Sequence, residues 1–120
     1  MITESQLQFS IVNDVMVVQL PAQSITQMDL TELDEQWLEL VSEHKPAHMV
    51  VDFNHVSRFS SQAVGTLIRV SQRIRSAGGD IKLCSMSPRT QEIFRICRLV
   101  PGSFDLYASV GEALESFDEQ

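Results

Sequence analysis

Hydrophobic and polar positions change period several times along the chain, and each change marks an element. Residues 7–12, LQFSIV, alternate around Leu7, Phe9 and Ile11, and residues 15–20, VMVVQL, form a second β-rich run. Asn13-Asp14 separates the two as a polar break of hairpin type, without the preferred Gly. Pro21 ends the second strand. The period then lengthens. Leu30, Leu33, Trp37, Leu40 and Val41 fall at i, i+3, i+7, i+10 and i+11, one face of a helix over 29–43. Glu32, Asp34, Glu35, Glu39 and Glu43 cover most of the remainder. Asp29 with Glu32 fits an N-terminal capping pattern, and Lys45-Pro46 stops the helix.

His48 to Phe53, HMVVDF, is short and apolar, as a central strand would be. A polar turn over 54–58 leads into a helix from Ser61 to about Ala77. Val64, Leu67, Ile68, Ser71 and Ile74 form its inner stripe, and Gly78-Gly79 is its stop. A strand follows over 80–86. Ser87-Pro88 then supplies an N-cap and a first helical residue for a helix carrying Ile93, Phe94, Cys97 and Leu99, to about Val100. Pro101-Gly102 breaks it. Phe104 to Tyr107 reads as a short edge strand, and Ser109-Val-Gly-Glu112 is a capping box before a last helix with Ala113, Leu114 and Phe117 inward.

The order is β-β-α-β-α-β-α-β-α. It predicts an α/β fold: a mixed four- or five-stranded sheet, opened by an antiparallel hairpin, with about four helices packed on it. Beyond the hairpin, alternating strands and helices imply parallel neighbours joined by crossovers. The 120 residues and 43% hydrophobic content suit one domain over 1–120. No apolar run reaches the length of a bilayer-spanning helix, so no membrane insertion is expected. MITESQLQ lacks the basic and apolar regions of a secretory signal, and a cytoplasmic location is the expectation.

Composition narrows the chemistry. The net charge of −7 argues against nucleic-acid binding. The charge is unevenly spread: −8 over residues 1–57, +6 over 58–98 and −5 over 99–120. That pattern gives either solvated helix faces or an acidic and a basic side suited to protein partners. His44, His48 and His55 form no i, i+4 pair, and Cys84 and Cys97, thirteen residues apart, have no metal-ligand spacing. Both cysteines are expected to be reduced packing residues. No metal or cofactor is expected. Ser60 and Ser61 stand at a strand-to-helix turn without a GxSxG, and neither GxGxxG nor GxxxxGK[ST] occurs. A receiver-type phospho-aspartate domain would need paired acids after its first strand, where this chain turns a hairpin. No catalytic residues are assigned, and the chain is not expected to be an enzyme.

The serine pair remains, in FSSQAVGTLIR, residues 59–69. A helix start has free N–H groups and a partial positive charge, so Ser there is a good cap. The same place suits a phosphate, which would put about −1.5 to −2 of charge on the surface. Both readings stand on the residues alone.

The strand HMVVDFNHVSRF, the helix SSQAVGTLIRVSQRIRSAGG and the segment IKLCSMSPRTQEIFRICRLV resemble a STAS domain, most of all the stand-alone anti-sigma factor antagonists of bacteria. The resemblance covers roughly residues 5 to 118. In that family the loop before the second helix typically reads Asp-Ser-Ser-Gly, an aliphatic residue, Gly, and later Leu. Here Ser60 stands at the Asp position and Ser61 at the serine that a partner kinase phosphorylates. Gln62 replaces the second Ser and Ala63 the Gly, while Val64, Gly65 and Leu67 match. The loop that often carries Gly-Glu-Leu-Asp is LPAQSI, residues 20–25, without an acid.

The resemblance implies a phosphorylation-controlled binding module in a partner-switching pathway. Ser61 would be the phosphoacceptor, with Ser60 the second choice. The partners would be an anti-sigma factor that is also a serine kinase, and a PP2C-like phosphatase. The expected binding surface is Arg58, Phe59, Ser60, Gln62, Ala63, Gln23, Ser24 and Arg69, on a monomer or weak dimer. The alternative is a STAS interaction subunit of a larger sensory or transporter-associated assembly, in which the serines only cap the helix. A small-molecule or enzymatic role is a third possibility, to which no residue points.

Overall fold

The computed structural model of the chain describes residues 8–20, 30–56, 61–100 and 103–118. Its elements are β1 (Gln8–Val12), β2 (Val15–Gln19), α1 (Leu30–His44), β3 (His48–Asp52), α2 (Ser61–Ser76), β4 (Asp80–Cys84), α3 (Pro88–Ile96), β5 (Asp105–Tyr107) and α4 (Val110–Asp118). The strands form one five-stranded sheet in the order β1-β2-β3-β4-β5. β1 and β2 are antiparallel and all later neighbours are parallel.

Asn13 and Asp14 make the hairpin turn at φ 51° and 68°. Two consecutive left-handed residues define the mirror-image turn that matches strand twist, and Asn and Asp adopt it without Gly. Each later strand pairs on the far side of its predecessor, so the crossovers all run the same way. A fixed crossover hand then puts α1, α2 and α3 on one face. There Trp37 and Val41 of α1, Ala63, Leu67, Val70 and Ile74 of α2, and Phe94 of α3 bury against Met16, Val18, Met49, Val51, Ile81 and Leu83.

α4 covers the other face, where Ala113 packs with Val15, Val17, Val50 and Cys84, and Leu114 and Phe117 close the edge. The two covered faces explain why β2 and β3 read as continuous apolar runs. This second layer also buries a cation. Lys82 is 4% exposed, and its ammonium lies 4.4 Å from the Phe117 ring centre and 5.4 Å from that of Tyr107. It donates to Ser116 Oγ at 2.8 Å. His48 stacks on Phe117 at 4.5 Å, and its Nδ1 accepts from the Asp80 N–H at 3.1 Å.

Two of the three predicted caps form, and the third, at Asp29, lies outside the described residues. The Thr90 N–H donates to Ser87 Oγ at 3.2 Å, and the Glu112 N–H to Ser109 Oγ at 3.2 Å. Three expectations differ. α3 ends at Ile96, not near Val100, because Arg98 turns to φ 61° and the Leu99 N–H closes back on the Phe94 carbonyl. That is a Schellman ending without its usual Gly. Cys97 is therefore exposed, whereas Cys84 is buried as expected. β1, whose alternation gives one apolar face, is exposed at all five positions: none of its side chains joins either core cluster, and Phe9 meets α1 only through the His44 ring at 4.8 Å.

Gly78 and Gly79 act differently. Gly78 takes φ 92°, while a Cβ on Gly79 would lie 1.8 Å from the Ala47 carbonyl oxygen. The end of α2 and the entry to β3 are thus in backbone contact.

Candidate functional site

β3 runs into the serine segment through a tied-down corner. The Phe53 N–H donates to the Cys84 carbonyl at 3.0 Å and the Leu20 N–H to the Asp52 carbonyl at 3.3 Å, prolonging the sheet by one residue on each strand. Asp52, 6% exposed, turns its carboxylate onto the Asn54 N–H at 2.9 Å, an Asx turn. The Val56 N–H returns to the Phe53 carbonyl at 3.0 Å, and the Val56 side chain is buried. Residues 57–60 lie outside the described residues, so Arg58, Phe59 and Ser60 are not placed; neither are Gln23 and Ser24.

α2 begins at Ser61, with Gln62 second. The structure thus puts Ser61 in the first turn, at the positive end of a 16-residue helix that has no acid in that turn. Ala63 is fully buried, as are Leu67 and Val70, with Val64 at 5%. The core side of α2 fixes the helix from its third residue onward, and Ala63 adds its methyl to that packing. Gly65 stands one turn beyond Ser61 on the same face. A Cβ built there meets nothing within 4 Å, so the space beside it is open.

Arg69 is exposed but lies eight residues from Ser61, about 12 Å along the axis. It belongs to a groove of about 340 Å³ between α1 and α2, lined also by Leu38, Gln72, Arg73 and Ser76. The structure therefore separates Arg69 from the serine end. The basic stretch is partly neutralised locally: Arg75 pairs with Asp80 at 3.4 Å and Arg95 with Glu92 at 2.9 Å.

The β4–α3 and β5–α4 connections leave the same edge of the parallel strands as the β3–α2 segment. Ser85, at φ 60°, donates its N–H to the Tyr107 carbonyl at 3.1 Å. Burial pushes the Cys84 thiol up to about 11; a hydrogen bond with Ser85 pulls it down and the nearby Asp52 carboxylate pushes it further up. Cys84 is thus a neutral thiol beside the corner. Among the described residues no group of three His, Cys, Asp or Glu side chains comes together to hold a metal. Sequence reasoning missed the Asp52 turn and the opening beside Gly65. An Asp two residues before Asn54 was the available signal for the first; for the second there was none, because open space depends on the packing.

A family model described as the STAS domain matches residues 6–113. The chain belongs to the STAS domain family. Its fold is shared by an anti-sigma-factor antagonist STAS domain protein from Planctomyces limnophilus, 22% identical, with 94% of this chain and 98% of that one covered and a TM-score of 0.78. It is also shared by the Bacillus cell fate determinant SpoIIAA, an anti-sigma factor antagonist. The unphosphorylated form matches at 16% identity, 95% and 97% coverage and a TM-score of 0.78, and the phosphorylated form at 17%, 92% and 98%, and 0.70. A chain of the stressosome, a signal integration and transduction hub, matches at 16%, 93% and 96%, and 0.74.

At such identities these likenesses are of fold. They extend over almost the whole of each chain. Among the described residues, no helix of this STAS domain is long and apolar enough to cross a membrane.

Proposed function

We propose that this STAS domain is a cytoplasmic anti-sigma factor antagonist, a binding module switched by phosphorylation of Ser61. The observation that carries this reading is the start of α2 at Ser61, on a helix held by its core face and without an acid in its first turn. A phosphate there gains from the helix dipole and the free N–H groups. It alters the surface charge while Ala63, Leu67 and Val70 keep their packing. The partners would be an anti-sigma factor with serine kinase activity, which binds the unphosphorylated form, and a PP2C-like phosphatase that resets it. Arg58, Phe59, Ser60, Gln62, Gln23 and Ser24 would form the contact around the serine, whereas Ala63, expected there from the sequence, is fully buried and would hold the helix start from beneath. Arg69 would contribute to the outer part of the partner's footprint, too far along α2 to hold the phosphate. Ser60 is the second acceptor.

Trypsin releases FSSQAVGTLIR alone, by cutting after Arg58 and Arg69. Mass spectrometry of this peptide, from protein isolated from its own cells before and after stress, is expected to find phosphate on Ser61 with an occupancy that changes. Its absence under every condition would remove the switch.

The stressosome likeness favours a second reading, in which the domain is an interaction subunit of a larger assembly. Ser60 for Asp and Gln62 for Ser, both beside Ser61, agree with it. A large complex in native lysate, indifferent to Ser61→Ala, would support this reading.

A further inference from the structure

Four large hydrophobic side chains stand exposed among the described residues, and three are on β1: Phe9 at 39%, Ile11 at 53% and Val12 at 39%. β1 is the sheet edge, and no residue of Gln8–Val12 is charged. Its pairing with β2 runs through five residues without a bulge. Exposed edges are normally blunted by a lysine, a proline, a bulge or extreme shortness. The opposite edge, β5, has three residues and begins with Asp105. β1 has none of these protections.

The hairpin fixes which backbone groups are free. Val12 and Val15 close a two-residue turn and form a hydrogen-bonded pair. The ladder alternates, so Gln8, Ser10 and Val12 direct their N–H and C=O groups at β2. Phe9 and Ile11 direct theirs at the open edge. We propose that a second copy of this chain covers that edge, β1 pairing antiparallel with β1 about a two-fold axis at Ser10.

The strand itself supplies the complement. With Ser10 opposite Ser10, Phe9 of one copy faces Ile11 of the other, and the outward-pointing residues meet as two hydrogen-bonded pairs, four bonds in all. Each pair also sets an aromatic ring against a β-branched side chain, a favoured cross-strand combination. Charge selects the same strip. Copies that each carry −7 repel one another, and Gln8–Val12 is an uncharged line along which they can approach. Two five-residue edges bury less than the roughly 1,200 Å² of a stable interface, so the dimer is weak and concentration-dependent.

The test is sedimentation velocity on the full chain from about 10 μM to about 1 mM, the range a weak association needs. The variants are Ile11→Lys and, as a control at the exposed hydrophobic on α3, Ile96→Lys. Wild type is expected to dimerise as concentration rises, Ile11→Lys to weaken this at least about tenfold, and Ile96→Lys to change nothing. Amide exchange in the wild type gives a second readout that needs no folded variant. Phe9 and Ile11 should gain protection with concentration while Ser10 and Val12 do not. A monomer at every concentration would overturn the proposal. So would a dimer indifferent to Ile11→Lys, a dimer lost with Ile96→Lys, or unchanged exchange at Phe9 and Ile11.

Discussion

The same substitution at two glycines should have opposite effects. At Gly65, interior to α2, an added Cβ meets no atom within 4 Å. Gly→Ala in a helix interior then gains about 0.8–1.0 kcal/mol, much of it from a less flexible unfolded chain. For a chain of this size that raises Tm by about 3–5 °C. At Gly79 the added Cβ would sit 1.8 Å from the Ala47 carbonyl oxygen, 3.0 Å from the Ala47 carbonyl carbon and 3.1 Å from Ile74 Cγ2. The nearest of these is backbone, which cannot rotate away. The Gly79 N–H is also bonded to the Ile74 carbonyl at 3.0 Å, so relief requires α2 to part from the start of β3. Overpacking of this kind costs about 1–3 kcal/mol or more. The two variants should therefore differ by roughly 2–4 kcal/mol in urea denaturation, Gly65→Ala above wild type and Gly79→Ala below. A Gly65→Ala variant less stable than wild type, or a neutral Gly79→Ala, would refute the reasoning. Gly65→Ala also tests the proposed binding site, because it adds a methyl to the open space one turn from Ser61. A more stable protein that binds its kinase partner unchanged would place Gly65 outside the contact.

Further predictions concern the α4 layer. Lys82→Met removes a buried ammonium but keeps the stem packed, and should stay within about 1 kcal/mol of wild type, whereas Lys82→Ala should lose about 2–3 kcal/mol. Equal losses in urea titrations would show that the ammonium contacts, not the stem, matter. Cys84 holds its proton more tightly folded than unfolded, with its thiol raised from 9.0 to about 11. Its contribution is present below pH 9 and declines as pH rises toward 11, by on the order of 3 kcal/mol in all. The alkaline loss of stability should be shallower in Cys84→Ala; an identical slope would remove the assignment.

What the sequence could reveal depended on whether a feature is local. β3 was legible because a strand covered on both faces must be apolar at every position, and Met49, Val50 and Val51 are. The α3 start was legible because Ser87-Pro88 states a cap and a first residue in adjacent letters. The α3 end was not, since Arg98 occupies the left-handed position that Gly usually announces. That error carried Cys97 inward by one turn too many. On β1 the alternation was real, but exposure is set by which element lies across the strand. Alternation cannot say that α1 reaches β1 only through the His44 ring on Phe9.

The serine end of α2 divides in the same way. Its place at a strand-to-helix boundary was readable from the turn and the apolar stripe behind it. The Asp52 carboxylate on the Asn54 N–H and the open space at Gly65 were not, because one needs the turn geometry and the other depends on the packing. Both bear on the proposed switch. Asp52, Phe53 and Val56 hold the approach to the serine segment, and the buried side of α2 holds its start. In the proposed switch, a charge added at Ser61 would change what the helix start offers a partner while the packing of Ala63, Leu67 and Val70 stays as it is. Ser61→Asp is therefore expected to change partner affinity while leaving stability within about 1 kcal/mol, as surface substitutions generally do. A variant that bound unchanged would end the switch reading. One that unfolded would mean the serine side chain belongs to the packing of the corner.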